Sequence, residues 1–88
     1  MNVRDRYGNL VALPDERWDH IVSYHPELED HLADVIETIR RGRRKQDPLD
    51  PLKWKYIHPC PLLAHGMTHI VVVVRKRQTY FVLTAYPV

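Results

Sequence analysis

The apolar run Ile70-Val-Val-Val-Val74, followed after a polar interval by Thr79-Tyr-Phe-Val-Leu-Thr-Ala-Tyr86, constrains the fold more than any other stretch. β-Branched and aromatic side chains lose rotamer freedom in a helix and pack well on a pleated surface, so Thr68 to Tyr86 is expected to form a β-hairpin with its turn at Arg75 to Gln78. A loop of two or four residues sets Val74 opposite Thr79, Val72 opposite Phe81 and Ile70 opposite Leu83, which gives one apolar face. The same pairing sets His69 opposite Thr84 and Val73 opposite Tyr80, so the second face carries His69, Arg75, Tyr80, Thr84 and Tyr86. An odd loop mixes the two faces, and the turn has no Asn-Gly pair to fix its type.

Ahead of this hairpin, Gly8-Asn9 reads as a turn and Leu10 to Leu13 as a short apolar strand. Pro14 or Asp15 then opens a helix in which Trp18, Ile21, Val22 and His25 make one stripe. Pro26 interrupts that helix and starts a second, expected from about Glu27 to Arg41, with Leu28, Leu32, Val35, Ile36 and Ile39 as its buried stripe. Acidic Glu27, Glu29 and Asp30 suit its positive end, Arg40 and Arg41 its negative end, and Gly42 its C-cap. After the loop Asp47 to Leu52, the alternation in Lys53-Trp-Lys-Tyr-Ile-His58 is a strand pattern, and Arg43 to Asp47 is a candidate further strand.

These elements predict an α+β fold: two N-terminal helices on one face of a three- to four-stranded antiparallel sheet, the opposite face partly open. Eighty-eight residues suffice for a single domain, residues 1–88, with no room for a second core. The charged start Met1-Asn-Val-Arg-Asp-Arg is unlike a signal peptide, Ile70 to Val74 is too short to span a bilayer, and the single Cys60 cannot make an internal disulfide. A soluble cytoplasmic protein that does not engage the membrane is therefore expected. A net charge of +2 falls well short of what would by itself point to nucleic acid.

The order Gly8-Asn-Leu-Val-x-Leu, Arg17-Trp-x-His-Ile21, His25-Pro-Glu-Leu28 and the closing Leu83-Thr-Ala-Tyr86 resembles the phage- and mobile-element-associated branch of the Barnase/EndoU/colicin/RelE nuclease superfamily. The resemblance spans nearly the whole chain. It implies N-terminal helices packed on a four-stranded antiparallel sheet and, in active members, metal-independent RNase activity, often as a toxin with an antitoxin partner. The matching motif positions are His20, His25, Glu27, Thr84 and Tyr86. The basic residue expected on the sheet is Lys55, Arg75 or neither.

Metal-free RNA cleavage needs a base for the 2'-hydroxyl, an acid for the leaving 5'-oxygen and a cation or donors on the phosphate. His20 and His25 are the candidates for base and acid, Arg75 or Lys55 for the phosphate, and Thr84 and Tyr86 for donors. Each has a plainer role open to it. His25 suits a core or capping position, Thr84 suits any strand, and Tyr86 suits a sheet edge. The cluster Arg40-Arg-Gly-Arg-Arg-Lys45 either grips phosphates, through Arg43 and Arg44, or complements the helix end. Trp54 and Tyr56, beside Lys53 and Lys55, either stack on bases or belong to the core. No metal or other cofactor is expected, since His20, His25, His31, His58, His65 and His69 lack HExxH or CxxC spacing. The function this supports is RNA binding with cleavage to a 2',3'-cyclic phosphate. The competing reading is an inactive member of the same fold that serves as a protein-interaction module.

Overall fold

The computed structural model describes residues 1–88. Six strands form one sheet: β1 (Asn2–Arg4), β2 (Leu10–Ala12), β3 (Arg43–Gln46), β4 (Lys53–Pro59), β5 (His69–Lys76) and β6 (Tyr80–Pro87). Two helices, α1 (Asp15–Tyr24) and α2 (Leu32–Arg41), lie between β2 and β3 in the chain. The strand order across the sheet is β1-β2-β6-β5-β4-β3, with every neighbouring pair antiparallel except β2 and β6. The α+β class stands as expected, but the sheet is mixed and six-stranded rather than three- to four-stranded and antiparallel. No helix is long and apolar enough to cross a membrane.

The extra strand is β1, which no periodicity in Met1 to Asp5 announces. It is held by its hairpin with β2, where Asp5 Oδ1 accepts the backbone N–H groups of Tyr7 and Asn9 at 2.9 and 2.8 Å. Gly8, at φ 87°, makes the left-handed step in that turn which a side chain resists. The helical stretch also departs from expectation. Pro26–Leu28 is a single 3-10 turn, and α2 begins only after His31, at φ −116° and ψ 25°. Asp30 and its acidic neighbours favour a turn over a helix interior, and the break lets Leu28 bury completely. Gly42 ends α2 with φ −63°, so it is not a left-handed cap. Its glycine is needed for space, because a Cβ there would lie 2.3 Å from the Thr38 carbonyl oxygen and 2.9 Å from that of Ile57.

The β5–β6 hairpin has a three-residue loop, Arg77 to Thr79, between the paired Lys76 and Tyr80. This odd loop overturns the expected pairing near the turn: Phe81 lies opposite Arg75 and Tyr80 turns to the core side. A bulge at Leu83 then restores the original parity, so that Thr84 faces Val73 and Tyr86 faces Val71. The pairing is displaced by three residues at the turn and by four beyond the bulge, and because four is even, His69, Arg75, Thr84 and Tyr86 still share the outer face. The inner face places Ile70, Val72, Val74, Val82, Ala85 and Tyr56 against Ile21, Leu28, Val35 and Ile39 in one core.

Candidate functional site

Alternation along β3 and β4 sorts the basic run into two populations. Arg44 pairs with the fully buried Tyr56 and therefore points inward, whereas Arg43 and Lys45 pair with Ile57 and Lys55 on the outer face. Arg44 lies over Trp54, 4.0 Å from the ring centroid, and 4.5 Å from the Tyr7 ring, in a pocket that also holds Asp5. Trp54 and Tyr56 are thus core side chains rather than a base-stacking strip, and Arg44 is a structural cation rather than a phosphate contact.

The Asp5 carboxylate in that pocket accepts hydrogen bonds from the Tyr56 hydroxyl, the Asn9 side chain and two backbone N–H groups. Burial pushes its pKa up, but these donors outweigh burial and hold it below the usual carboxylate range. Burial and the neighbouring Asp5 push the Tyr56 phenol the other way, well above its ordinary value.

The outer face is cationic. Residues 43–88 hold eight basic side chains against two acidic ones, Asp47 and Asp50, and of the eight Arg43, Lys45, Lys53, Lys55 and Arg75 lie on the outer face. Lys45 sits directly opposite Lys55, and Lys53 opposite Arg75. Like charges in cross-strand register destabilise a sheet, so this arrangement runs against the interest of the fold alone. Only Arg75 has local relief, through a 2.9 Å ion pair with Asp50, whose pKa is lowered by that hydrogen bond. Val71 and Val73 run between these cations, and Phe81, Thr84 and Tyr86 complete the face on β6.

Where β3 starts, the face deepens into a hollow of about 360 Å³ lined by Arg6, Arg41, Arg43, Ile57, His58, Pro59 and His69. Arg6 comes from the β1–β2 turn, Arg41 from the last turn of α2, and His58 and His69 from the adjoining ends of β4 and β5. Three arginines and two histidines line it and no carboxylate does, with the register turning His58 to the core side of β4 and His69 to the outer side of β5. Arg6 donates to the Arg41 carbonyl at 3.3 Å, and Arg41 is tied to Glu37 at 3.0 Å, which steadies both chains at the rim. His69 Nδ1 lies 2.7 Å from the Thr68 hydroxyl, which orients the ring and leaves Nε2 free. A larger hollow, about 460 Å³, follows β1 beside α2, but the Asp5 carboxylate in its wall is spent on Tyr56 and Asn9.

The residues singled out by sequence are distributed differently. His25 and Tyr86 do meet, with ring centroids 6.2 Å apart, and Glu27 lies 3.4 Å from His25 Nδ1. The His25 backbone N–H closes α1 on the Ile21 carbonyl at 2.8 Å, but its partly exposed ring makes no capping hydrogen bond, contrary to the ring-capping role open to it in sequence. His20 is exposed and stacks on Tyr24 at 4.8 Å, and no hydrogen bond joins it to Thr84. Lys53, Lys55, Arg75 and Arg43 all lie on the outer face, as an RNA-binding set would require. Tyr86, Val71, Ile57 and Arg43 form one row across β6, β5, β4 and β3. At about 4.8 Å per strand, that row places Tyr86 roughly 15 Å from Arg43 and roughly 10 Å from Ile57 in the hollow's wall. Sequence reading missed Arg6 and His58, whereas Arg41 lay in the basic run weighed as a phosphate grip and His69 on the polar strand face, neither being named as a site residue. Comparison of the chain with protein-family models, curated proteins and solved structures returns no match.

Proposed function

We propose that the chain binds single-stranded RNA across its outer sheet face, seats one phosphate in the hollow at Arg6, Arg41 and Arg43, and cleaves there to a 2',3'-cyclic phosphate. The observation that supports this reading is the hollow itself, lined by three arginines and two histidines with no carboxylate in its lining. Arginine forks suit phosphate oxygens, and a pair of imidazoles supplies the base and the acid that metal-free cleavage requires. Oriented by Thr68, His69 takes the 2'-hydroxyl proton through Nε2, and His58 returns a proton to the leaving 5'-oxygen. The like-charge pairs Lys45–Lys55 and Lys53–Arg75 become favourable once a polyanion lies over them, and Tyr86 and Phe81 offer aromatic surface to bases. The resemblance to the Barnase/EndoU/colicin/RelE superfamily points the same way and adds an antitoxin-like protein as the partner that would cover this face.

The test is retention and cleavage of a short single-stranded RNA at low salt, read beside variants. Three phosphate contacts give a log–log salt slope of about −2, a loss of roughly 20-fold in affinity between 50 and 200 mM salt. Arg43→Ala should weaken retention and flatten that slope by about 0.7. His69→Ala and His58→Ala should abolish cleavage while leaving retention within a few-fold. Protein that retains no RNA at low salt would sink the reading and favour the protein-interaction module. If His25→Ala stops cleavage while His69→Ala does not, the chemistry belongs at the His25–Tyr86 pair instead.

A further inference from the structure

Two side chains at the start of α2 and one just past β4 bring their polar atoms together. His31 immediately precedes α2, Asp34 lies in its first turn, and Cys60 follows β4 between Pro59 and Pro61. Their Nδ1, carboxylate oxygen and Sγ atoms all lie within 4.8 Å of one another. His31 Nδ1 is 2.8 Å from Asp34 Oδ2 and 4.0 Å from Cys60 Sγ, so both neighbours address the same ring nitrogen. A hydrogen-bonded relay would instead use opposite ring nitrogens, with the carboxylate on one and the sulfur on the other. Convergence on one nitrogen is what a ligand set around a single centre produces.

We infer that His31, Asp34 and Cys60 form a binding site for one zinc-class divalent cation. A tetrahedral ion with bonds of about 2.0 to 2.3 Å separates such donors by about 3.3 to 3.6 Å. The His31–Asp34 edge is shorter than that and the His31–Cys60 edge longer, each by about half an ångström, the Asp34–Cys60 edge lies within 4.8 Å, and small side-chain rotations supply the difference. The donors are an imidazole, a carboxylate and a thiol, a borderline-soft set that favours zinc over magnesium or calcium. The positions are preorganised. His31 and Asp34 are fixed three residues apart by the helix start, where the His31 carbonyl accepts the Val35 N–H at 2.9 Å. The Cys60 N–H is pinned to the Thr68 carbonyl at 2.8 Å. The His31 side chain does not cap α2, so its ring is committed to this cluster. On binding, the Cys60 S–H bond breaks as the S–metal bond forms and the proton passes to solvent. Three protein ligands leave the fourth position to water.

The site is tested on untagged, reduced protein stripped with EDTA and titrated with Co²⁺, then Zn²⁺. One equivalent of Co²⁺ should give a thiolate-to-cobalt charge-transfer band that Zn²⁺ bleaches, and affinity should fall as pH is lowered. His31→Gln and Asp34→Asn should each weaken binding by at least about tenfold, and Cys60→Ser should remove the charge-transfer band. His65→Ala, outside the cluster, should change nothing. Saturating Zn²⁺ should raise the Tm of the unsubstituted chain by several degrees and that of Asp34→Asn by much less. Absence of the band, or equal affinity in the His31 and Asp34 variants, overturns the assignment. Asp34 is half-exposed, so its variant remains readable if Cys60→Ser fails to fold. The inference stands apart from RNA binding, and RNA retention in EDTA should be unaltered.

Discussion

Replacing Tyr56 with Phe removes one atom from the centre of the fold and tests how the buried carboxylate of Asp5 is tolerated. Both residues are buried, and the Tyr56 hydroxyl donates to Asp5 Oδ2. A hydrogen bond to a charged acceptor contributes about 1.5 to 3 kcal/mol. Three donors remain on Asp5, from Tyr7 and Asn9 at 2.8 to 3.1 Å, so the loss should lie near the lower half of that range, about 2 kcal/mol. For a domain of this size that corresponds to a fall in Tm of roughly 10 °C. The pH dependence has a definite sign. The folded pKa of Asp5 is depressed, so its contribution to stability is present above the unfolded value near 3.8 and is lost as pH falls through the lower folded value. The phenylalanine variant keeps the desolvation and loses a donor, so its deficit should be full at pH 7 and shrink toward pH 3. Urea denaturation of both proteins at the two pH values measures this. A deficit under about 0.5 kcal/mol at pH 7, or one that does not change with pH, would refute the idea that the phenol holds the carboxylate ionised.

Other substitutions test the sheet and its outer face. Lys45→Glu turns the repulsive Lys45–Lys55 pair into an attractive one and should stabilise the domain by roughly 0.2 to 1 kcal/mol while weakening RNA retention. Chemical denaturation and filter binding on the same preparation read both effects, and a variant that is both less stable and unimpaired in binding would contradict the role given to that face. Gly42→Ala should cost at least about 2 kcal/mol, because its Cβ would collide with the carbonyls of Thr38 and Ile57, both backbone atoms that cannot rotate away. A near-neutral melting temperature would show that the approach of α2 and β4 is looser than described. If the domain is an active toxin, induction should arrest growth, and His69→Ala should relieve the arrest where His20→Ala does not.

The parts of this fold that could be read in the sequence are those decided by local pattern. The valine run, the alternation in Lys53 to His58 and the stripe of α2 each repeat over enough residues for the period to be unambiguous. Strand β1 has three residues and no period, and it is a strand only because β2 is there to pair with it. Every partner expected across the hairpin differs from the one found, by three residues near the turn and by four beyond it, yet Thr84 and Tyr86 lie on the expected face. The Leu83 bulge adds one residue to the odd shift of the three-residue loop and makes it even, which neither segment displays alone. Gly42 stands at the helix end as expected but for a different reason, since the need for space comes from the Thr38 carbonyl and from that of Ile57, fifteen positions away.

Functional residues were harder to read for the same reason, and the run Arg40 to Lys45 makes the point. In sequence it is one basic patch. In the fold, Gly42 lets α2 pass straight into β3, so Arg41 at the helix end and Arg43 at the strand start both reach the hollow. Strand alternation then sends Arg44 to the opposite side, where Tyr56, Tyr80 and Asp5 hold it protonated against the cost of burial. Neighbouring arginines of identical chemistry thus take unrelated roles, one inside the structure and one available to a ligand. The partners that decide those roles, Asp5, Arg6, His58 and His69, lie in other segments. A charge cluster identifies a surface only after the pairing partner of each residue is known, and here that pairing sends the available cations to the side that also carries His69.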